Sequence, residues 1–173
     1  PKVLVVASAV GLYGNRGEEP LTEDSEAGEG FLADTAVRWE SAADSAREVG
    51  IRVVHARFGL IMSRHGGILS KVKVPFQTAL GGKLGNGRQW WPWVSLPDVI
   101  NGISYVMGNE EISGPVNFIA PTPVRNEEFT KLMSKTLSRP AWFHVPAPII
   151  RFIFGEMGDE TMLYSQRVFP EKL

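Results

Sequence analysis

The sequence contains no cysteine. Disulfides, thiol catalysis and thiolate metal sites are therefore excluded. Histidine is also scarce: three are spread along 173 residues, too far apart to form a metal-ligand motif. Charge of one sign is lacking, since 18 basic and 19 acidic residues leave a net charge of −1. No single-sign field arises of the kind that nucleic acid binding requires. No apolar run approaches the ~18 residues of a membrane span, and no secretory signal is recognisable. These absences point to a cytoplasmic protein with neither a membrane nor a nucleic acid as partner. The first residue is Pro1, not methionine, and it leads straight into a strand-like run. The chain reads as a fragment or a processed form.

The rest of the composition is ordinary. With 43% hydrophobic and 21% charged residues, it suits one domain or slightly more with a real core. Val3–Ala9 is a continuous β-rich apolar run, which predicts a strand buried on both faces of a parallel sheet. Residues 10–30 predict a long loop. Residues 31–49 place Leu32, Ala36, Trp39, Ala43 and Ala46 at helical spacing, and Gly50 supplies a stop. Residues 51–58 form a second buried-type strand. Strand, helix, strand is a βαβ unit with parallel pairing and a right-handed crossover.

Beyond this unit the pattern loosens. It predicts a helix over 68–80 kinked or broken near Pro75, a glycine-rich loop over 81–87 and a short strand within 89–95. A helix from Pro97 to about Met107 follows, then a strand over 115–119. Asn126 predicts the N-cap of a helix to Leu137. A strand over 142–145 and a helix from Pro148 complete the reading. Residues 1–80 are expected to form a sheet-and-helix core and residues 81–173 a smaller α+β lid region, with strands exchanged between them.

One stretch suggests a cofactor signature. VLVVASAVGLYGNRG runs from Val3 to Gly17 with glycines at 11, 14 and 17. A pyrophosphate cradle needs its last glycines to open a helix whose N-terminus faces the phosphates. Here Gly17 is followed by Glu18, Glu19 and Pro20, and no helical periodicity returns until Phe31. Two carboxylates at that exit would repel a phosphate. The alternative begins with Ser8, which ends a buried parallel strand and so sits at the ligand edge of the sheet.

From Ser8 onward the chain resembles the extended short-chain dehydrogenase/reductase superfamily. The carriers are the strand ending in Ser8 with Tyr13 after it, the loop Pro20-Leu21-Thr22-Glu23-Asp24-Ser25, the strand to Arg57 with Gly59, and Gly85–Asp98. The resemblance sharpens to the superfamily's epimerase-family subgroup. SAVGLYG, FLADTAVRWE, GGILSKVKVPF, GGKLGNGRQWWPWV, GPVNFIAPTPVRNEEF and the GEM…SQRVFP tail carry it end to end. Members are named nucleoside-diphosphate-sugar epimerases or cell-division-inhibitor-like proteins. It implies an α/β fold holding the later strands of a Rossmann-like parallel sheet, with a subgroup-specific segment from about residue 144. The N-terminal half of the family fold is absent from this sequence, so one flank of the sheet is expected to be exposed. The implied cofactor is NADP, with NAD possible. The implied partner is a small-molecule substrate of the nucleotide-sugar kind.

The same resemblance locates a departure. With Glu40 on the family's helix glutamate, the Tyr of the Tyr-x-x-x-Lys pair falls on Leu32 and the Lys on Ala36. Neither side chain can move a proton or hold a ribose. Two readings follow: an NAD(P)-dependent epimerase or oxidoreductase working without this pair, or a catalytically degenerate dinucleotide-binding regulatory protein linked to cell division. Ser8 and Tyr13 are the candidates for the nicotinamide end. Arg57, Gly59, Leu60 and Ile61 are the implied cofactor contacts, the last three as a loop. Arg88 and Trp90 of GRQWWPWVS are the candidates for a substrate diphosphate or base, with Trp91 and Trp93 as core. Asp34 and Glu40 are expected on the solvated side of their helix, and His55 in the core. His144 and Asp98 complete the titratable groups weighed.

Overall fold

A computed structural model describes residues 1–173. In chain order the strands are β1 (Val3–Ala9), β2 (Pro20–Leu21), β3 (Arg52–Phe58), β4 (Leu60–Ser63), β5 (Gly82–Leu84) and β6 (Trp90–Trp91). They continue as β7 (Trp93–Ser95), β8 (Gly114–Phe118), β9 (Val124–Arg125), β10 (Phe143–Val145) and β11 (Arg167–Val168). The helices are α1 (Phe31–Ser41), α2 (Asp44–Glu48), α3 (Gly67–Gln77), α4 (Leu96–Gly108), α5 (Asn126–Leu137) and α6 (Ala147–Gly158).

The centre is a parallel three-stranded sheet in the order β1-β3-β8. β1 and β3 are parallel, as the βαβ reading requires, with Val3 beside Arg52 and Ala9 beside Phe58. β3 is buried along Val53–Arg57, which suits a central parallel strand covered on both faces. Its alternate side chains divide the molecule. Val54 and Ala56 join Val106 of α4 with Val116 and Phe118 in one apolar cluster. Val10, Leu12, Tyr13, Leu21, Ala36, Ile119 and Val168 form a second cluster. Arg52 donates to the carbonyls of Val106, Met107 and Ile112, closing the C-terminal end of α4 with positive charge.

Several sequence expectations are corrected. β1 is not buried on both faces: it pairs with β3 alone, its other edge carries no strand, and Leu4, Ala7 and Ala9 are exposed. The helix expected over 31–49 divides into α1 and α2. Ala43 N bonds Glu40 O and Ala46 N bonds Ala43 O, so i→i−3 bonds replace the α pattern at the joint. The strand expected within 89–95 is two strands, because Pro92 has no N–H to carry a ladder through. β6 then pairs antiparallel with β9, and β7 parallel with β4. Asn126 opens α5 but does not cap it. Its side chain is buried and accepts from Leu84 N at 2.9 Å. Pro75 does not break its helix; α3 runs past it to Gln77.

Candidate functional site

β1 and β3 end side by side, and their last polar residues, Ser8 and Arg57, are cross-strand partners. Glu40 of α1 reaches both. Its Oε1 accepts from Ser8 Oγ at 2.6 Å and from Arg57 Nε at 2.9 Å, and its Oε2 accepts from Arg57 Nη2 at 2.9 Å. The pair is bidentate, with only 8% of the Arg57 side chain and 12% of the Glu40 side chain exposed. Glu40 therefore does not lie on the solvated side of its helix. Helical spacing fixes a residue's angle around the axis, not the arginine a neighbouring strand aims at it. Burial pushes the Glu40 carboxyl up, but the bonds from Arg57 and Ser8 and the Arg57 charge outweigh it and hold it below the ordinary value.

Arg57 continues the network inward. Its Nη1 donates to Tyr13 Oη at 2.9 Å, and Tyr13 Oη donates to Asn117 Oδ1 at 2.8 Å. Asn117 N donates to Glu23 Oε1 at 3.0 Å. Tyr13 is wholly buried. Burial raises its pKa, opposed by the charge and hydrogen bond of Arg57. It thus stands in the core as a spacer between Arg57 and Asn117, not along an open cleft.

Beside this network lies an apolar groove of about 270 Å³, lined by Ala7, Ser8, Ala9, Gly11, Leu32, Thr35, Ala36 and Trp39. Leu32 and Ala36 are the positions where the resemblance puts Tyr and Lys. Ser8 has given its only proton to Glu40, so toward the groove it offers lone pairs. A groove of this size holds a ring-sized group and not a whole dinucleotide. A second cleft of about 330 Å³ is lined by Glu40, Asp44, Arg47, His55 and Arg57 among others. His55 is buried, receives Arg47 Nη2 at 2.7 Å on Nε2, and has no partner on Nδ1. Burial holds its pKa below the ordinary value, and the neighbouring carboxylate of Glu40 only partly opposes this.

The glycine motif has a different use from the one it suggests. Val10–Tyr13 form a single 3₁₀ turn, with Gly14 at φ 62° and Gly17 at φ 60° beyond it. The loop's backbone groups are bonded by the chain's last segment. Gln166 Nε2 donates to the carbonyls of Val10 and Gly14, and Ser165 Oγ to that of Gly17. Asn15 Oδ1 accepts from Ser165 N, and β11 pairs with β2. Of the three glycines only Gly14 lies close against other backbone: a Cβ there would stand 2.9 Å from Glu29 O.

The other implied contacts are placed as follows. Gly59–Ile61 is not a loop: Leu60 and Ile61 belong to β4, and Leu60 N donates to Pro92 O at 2.7 Å. Gly59 is glycine because a Cβ there would stand 2.6 Å from Pro92 O and 2.8 Å from Ile119 Cγ2. Arg88 is exposed. Trp90 is half-buried, with Arg125 at 4.4 Å and Arg167 at 5.3 Å from its ring centroid, and its Nε1 donates to Glu18 at 2.8 Å. Glu18 also pairs with Arg125 at 2.9 Å. Arg125 and Arg167 were missed as site candidates, because nothing local marks two arginines 42 positions apart as neighbours of one ring. Trp91 is buried against Phe129, and Trp93 is half-buried. Asp98 bonds Ser95 at the start of α4, Asp34 is exposed, and His144 contacts the Gly85 carbonyl.

A parallel sheet whose strands deliver their polar residues to one edge, beside a groove under a crossover helix, defines a Rossmann-like α/β protein. The family model for a domain of unknown function (DUF1731) matches residues 145–173. The chain is 41% identical over 170 residues to the epimerase family protein Mb2239 of Mycobacterium bovis, covering 98% of this chain and 56% of that protein. It is 39% identical over 173 residues to YfhF of Bacillus subtilis, again covering 56% of it. The chain belongs to this group of epimerase family proteins and spans about half the length of the curated relatives it matches.

Solved structures agree. A nucleoside-diphosphate sugar epimerase from Corynebacterium glutamicum matches 98% of this chain and 32% of its own at TM-score 0.80 and 35% identity. The human epimerase family protein SDR39U1 (isoform 2), solved with NADPH, matches 98% of this chain and 58% of its own at TM-score 0.88 and 28% identity. No helix is long and apolar enough to cross a membrane.

Proposed function

We propose that the chain belongs to an NAD(P)-binding protein that holds the nicotinamide end of NADP, or of NAD, against the groove formed by Ser8, Ala9, Leu32 and Ala36. The observation that carries this reading is the groove itself: mainly apolar, ring-sized, at the carboxyl end of β1, with two hydroxyl side chains, Ser8 and Thr35. The human relative solved with NADPH supports it. Gly59, Leu60 and Ile61 would contact the cofactor through their backbone, and Arg57 and the buried Tyr13 act through Glu40 and Ser8 as positioning residues. Residues 1–80 carry the cofactor side and residues 81–173 the substrate side. There Arg88, Trp90, Arg125 and Arg167 suit the diphosphate of a small substrate such as a nucleotide sugar. Bound cofactor would supply hydride chemistry; the chain's own part is to bind, orient and exclude water.

A second reading is favoured by Leu32 and Ala36. No Tyr-x-x-x-Lys occurs anywhere in the 173 residues, and the Ser8 proton is committed to Glu40. A dinucleotide-binding regulator without turnover fits these facts. Purified full-length protein separates the two. NADPH fluorescence measures binding, and absorbance at 340 nm with product analysis follows turnover of nucleotide sugars. Binding with turnover supports the enzyme, binding without turnover across the panel supports the regulator, and no binding overturns both.

A further inference from the structure

The first turn of α1 is closed by a carboxylate from the far end of the chain. Glu160 Oε1 accepts from Phe31 N at 2.9 Å and Oε2 from Leu32 N at 2.8 Å, across 129 and 128 positions. An α-helix leaves its first backbone N–H groups without partners, and its dipole favours negative charge there. No local side chain meets the need, because the residue before α1 is Gly30. Gly30 is shaped for this visitor. Its φ is 114°, and a Cβ on it would stand 2.7 Å from Glu160 Oε1. Glu160 is held out by a π-helical turn over Asp159–Leu163, following a left-handed break at Gly155. Within the same segment, Ser165 and Gln166 bind the glycine loop. Leu32 joins these facts to the groove: its amide is held by Glu160 and its side chain lines the wall.

We propose that Glu160 is a positioning residue for dinucleotide binding. Its carboxylate fixes the first turn of α1 and so sets the Leu32 wall against which the nicotinamide end lies. Glu160 is not among the residues lining the groove and acts through α1. This gives the C-terminal segment a task, that of a clamp reaching back over the cofactor side of the fold. The proposal rests on the dinucleotide reading above.

The test uses full-length protein, wild type and Glu160→Ala, with and without formate, which can fill the vacated carboxylate position. Amide hydrogen exchange at Phe31 and Leu32 reads the clamp, and NADPH fluorescence reads affinity. Wild type protects both amides. Glu160→Ala loses that protection and binds NADPH about tenfold more weakly; formate restores both, which a general loss of folding would not allow. Glu160→Gln keeps the shape and one acceptor oxygen, so it loses protection at one amide only and serves if the alanine variant fails to fold. Unchanged protection overturns the proposal. So does lost protection with unchanged affinity, or weakened affinity that formate leaves unimproved. A wild type that binds no NADPH overturns the dinucleotide reading and the cofactor half of this proposal; amide protection and its rescue then decide the clamp on α1.

Discussion

Replacing Glu40 with alanine should be among the most damaging single changes in the chain. The substitution removes three hydrogen bonds, one from Ser8 and two from Arg57. It leaves a guanidinium whose side chain is only 8% exposed without its counter-charge. Breaking a buried pair from one side costs about 3–5 kcal/mol. Arg57 keeps Tyr13 Oη and the more distant Glu23 carbonyl, so the lower end, ~3 kcal/mol, is expected. At roughly 2–4 °C per kcal/mol for a chain of this size, the melting temperature should fall by about 6–12 °C. Urea denaturation and thermal melts measure it. The joint replacement Glu40→Leu with Arg57→Met removes both charges and should recover much of the loss. A single-variant cost below about 1 kcal/mol, the value of a surface pair, would refute the reasoning, as would a double variant worse than the single. The pH dependence has a fixed sign. The Glu40 pKa is lowered in the fold, so its contribution is complete above the unfolded value of ~4.3. It is lost as pH falls below that toward the depressed value. Glu40→Ala should flatten this limb.

Tyr13→Phe should cost about 1–3 kcal/mol by stranding Asn117 Oδ1 and leaving Arg57 Nη1 only the more distant Glu23 carbonyl, measured by urea denaturation. In the wild type, phenolate absorbance at 295 nm should show Tyr13 resisting ionisation above the ordinary ~10. Its raised pKa gives stability that is complete below that value and lost as pH rises through it. Gly59→Ala should destabilise by about 1–3 kcal/mol, because the methyl must displace Pro92 O or Ile119; a melting temperature equal to wild type would contradict the packing. Ala36→Lys, which reinstates the implied lysine alone, should lower the melting temperature by several degrees. Ala36 is buried among Val10, Leu12 and Tyr13, where an unpaired ammonium is unfavourable.

The central βαβ unit was legible from sequence because its signals are local: two apolar β-rich runs and a helix of the right length between them. Parallel pairing followed from it, whereas the register, Val3 beside Arg52, came only with the structure. What sequence reasoning could not supply was contact at long range. Glu40 reads as a polar helix residue until Arg57 is known to point at it from the next strand. Asn126 has cap chemistry but spends it on Leu84 N. The glycines of 11–17 match a phosphate turn in spacing, and the missing helix behind Gly17 and the carboxylates of Glu18 and Glu19 warned against it. That their partners would be Ser165 and Gln166 had no local trace. The apolar side chains at 32 and 36 were visible in sequence, but the groove they line is made jointly with β1.

The stitching of the last residues into the first loop sets an order of events for the newborn chain. Glu23 is buried and receives the backbone N–H groups of Glu171 and Lys172 as well as that of Asn117. Until residues 160–172 are made, this carboxylate, the loop over 10–17 and the N-terminus of α1 lack their native partners. Contacts so far apart in sequence slow folding and prolong exposure of unfinished surface. The segment that closes the first loop and caps α1 is thus the one whose contacts are the most distant in sequence.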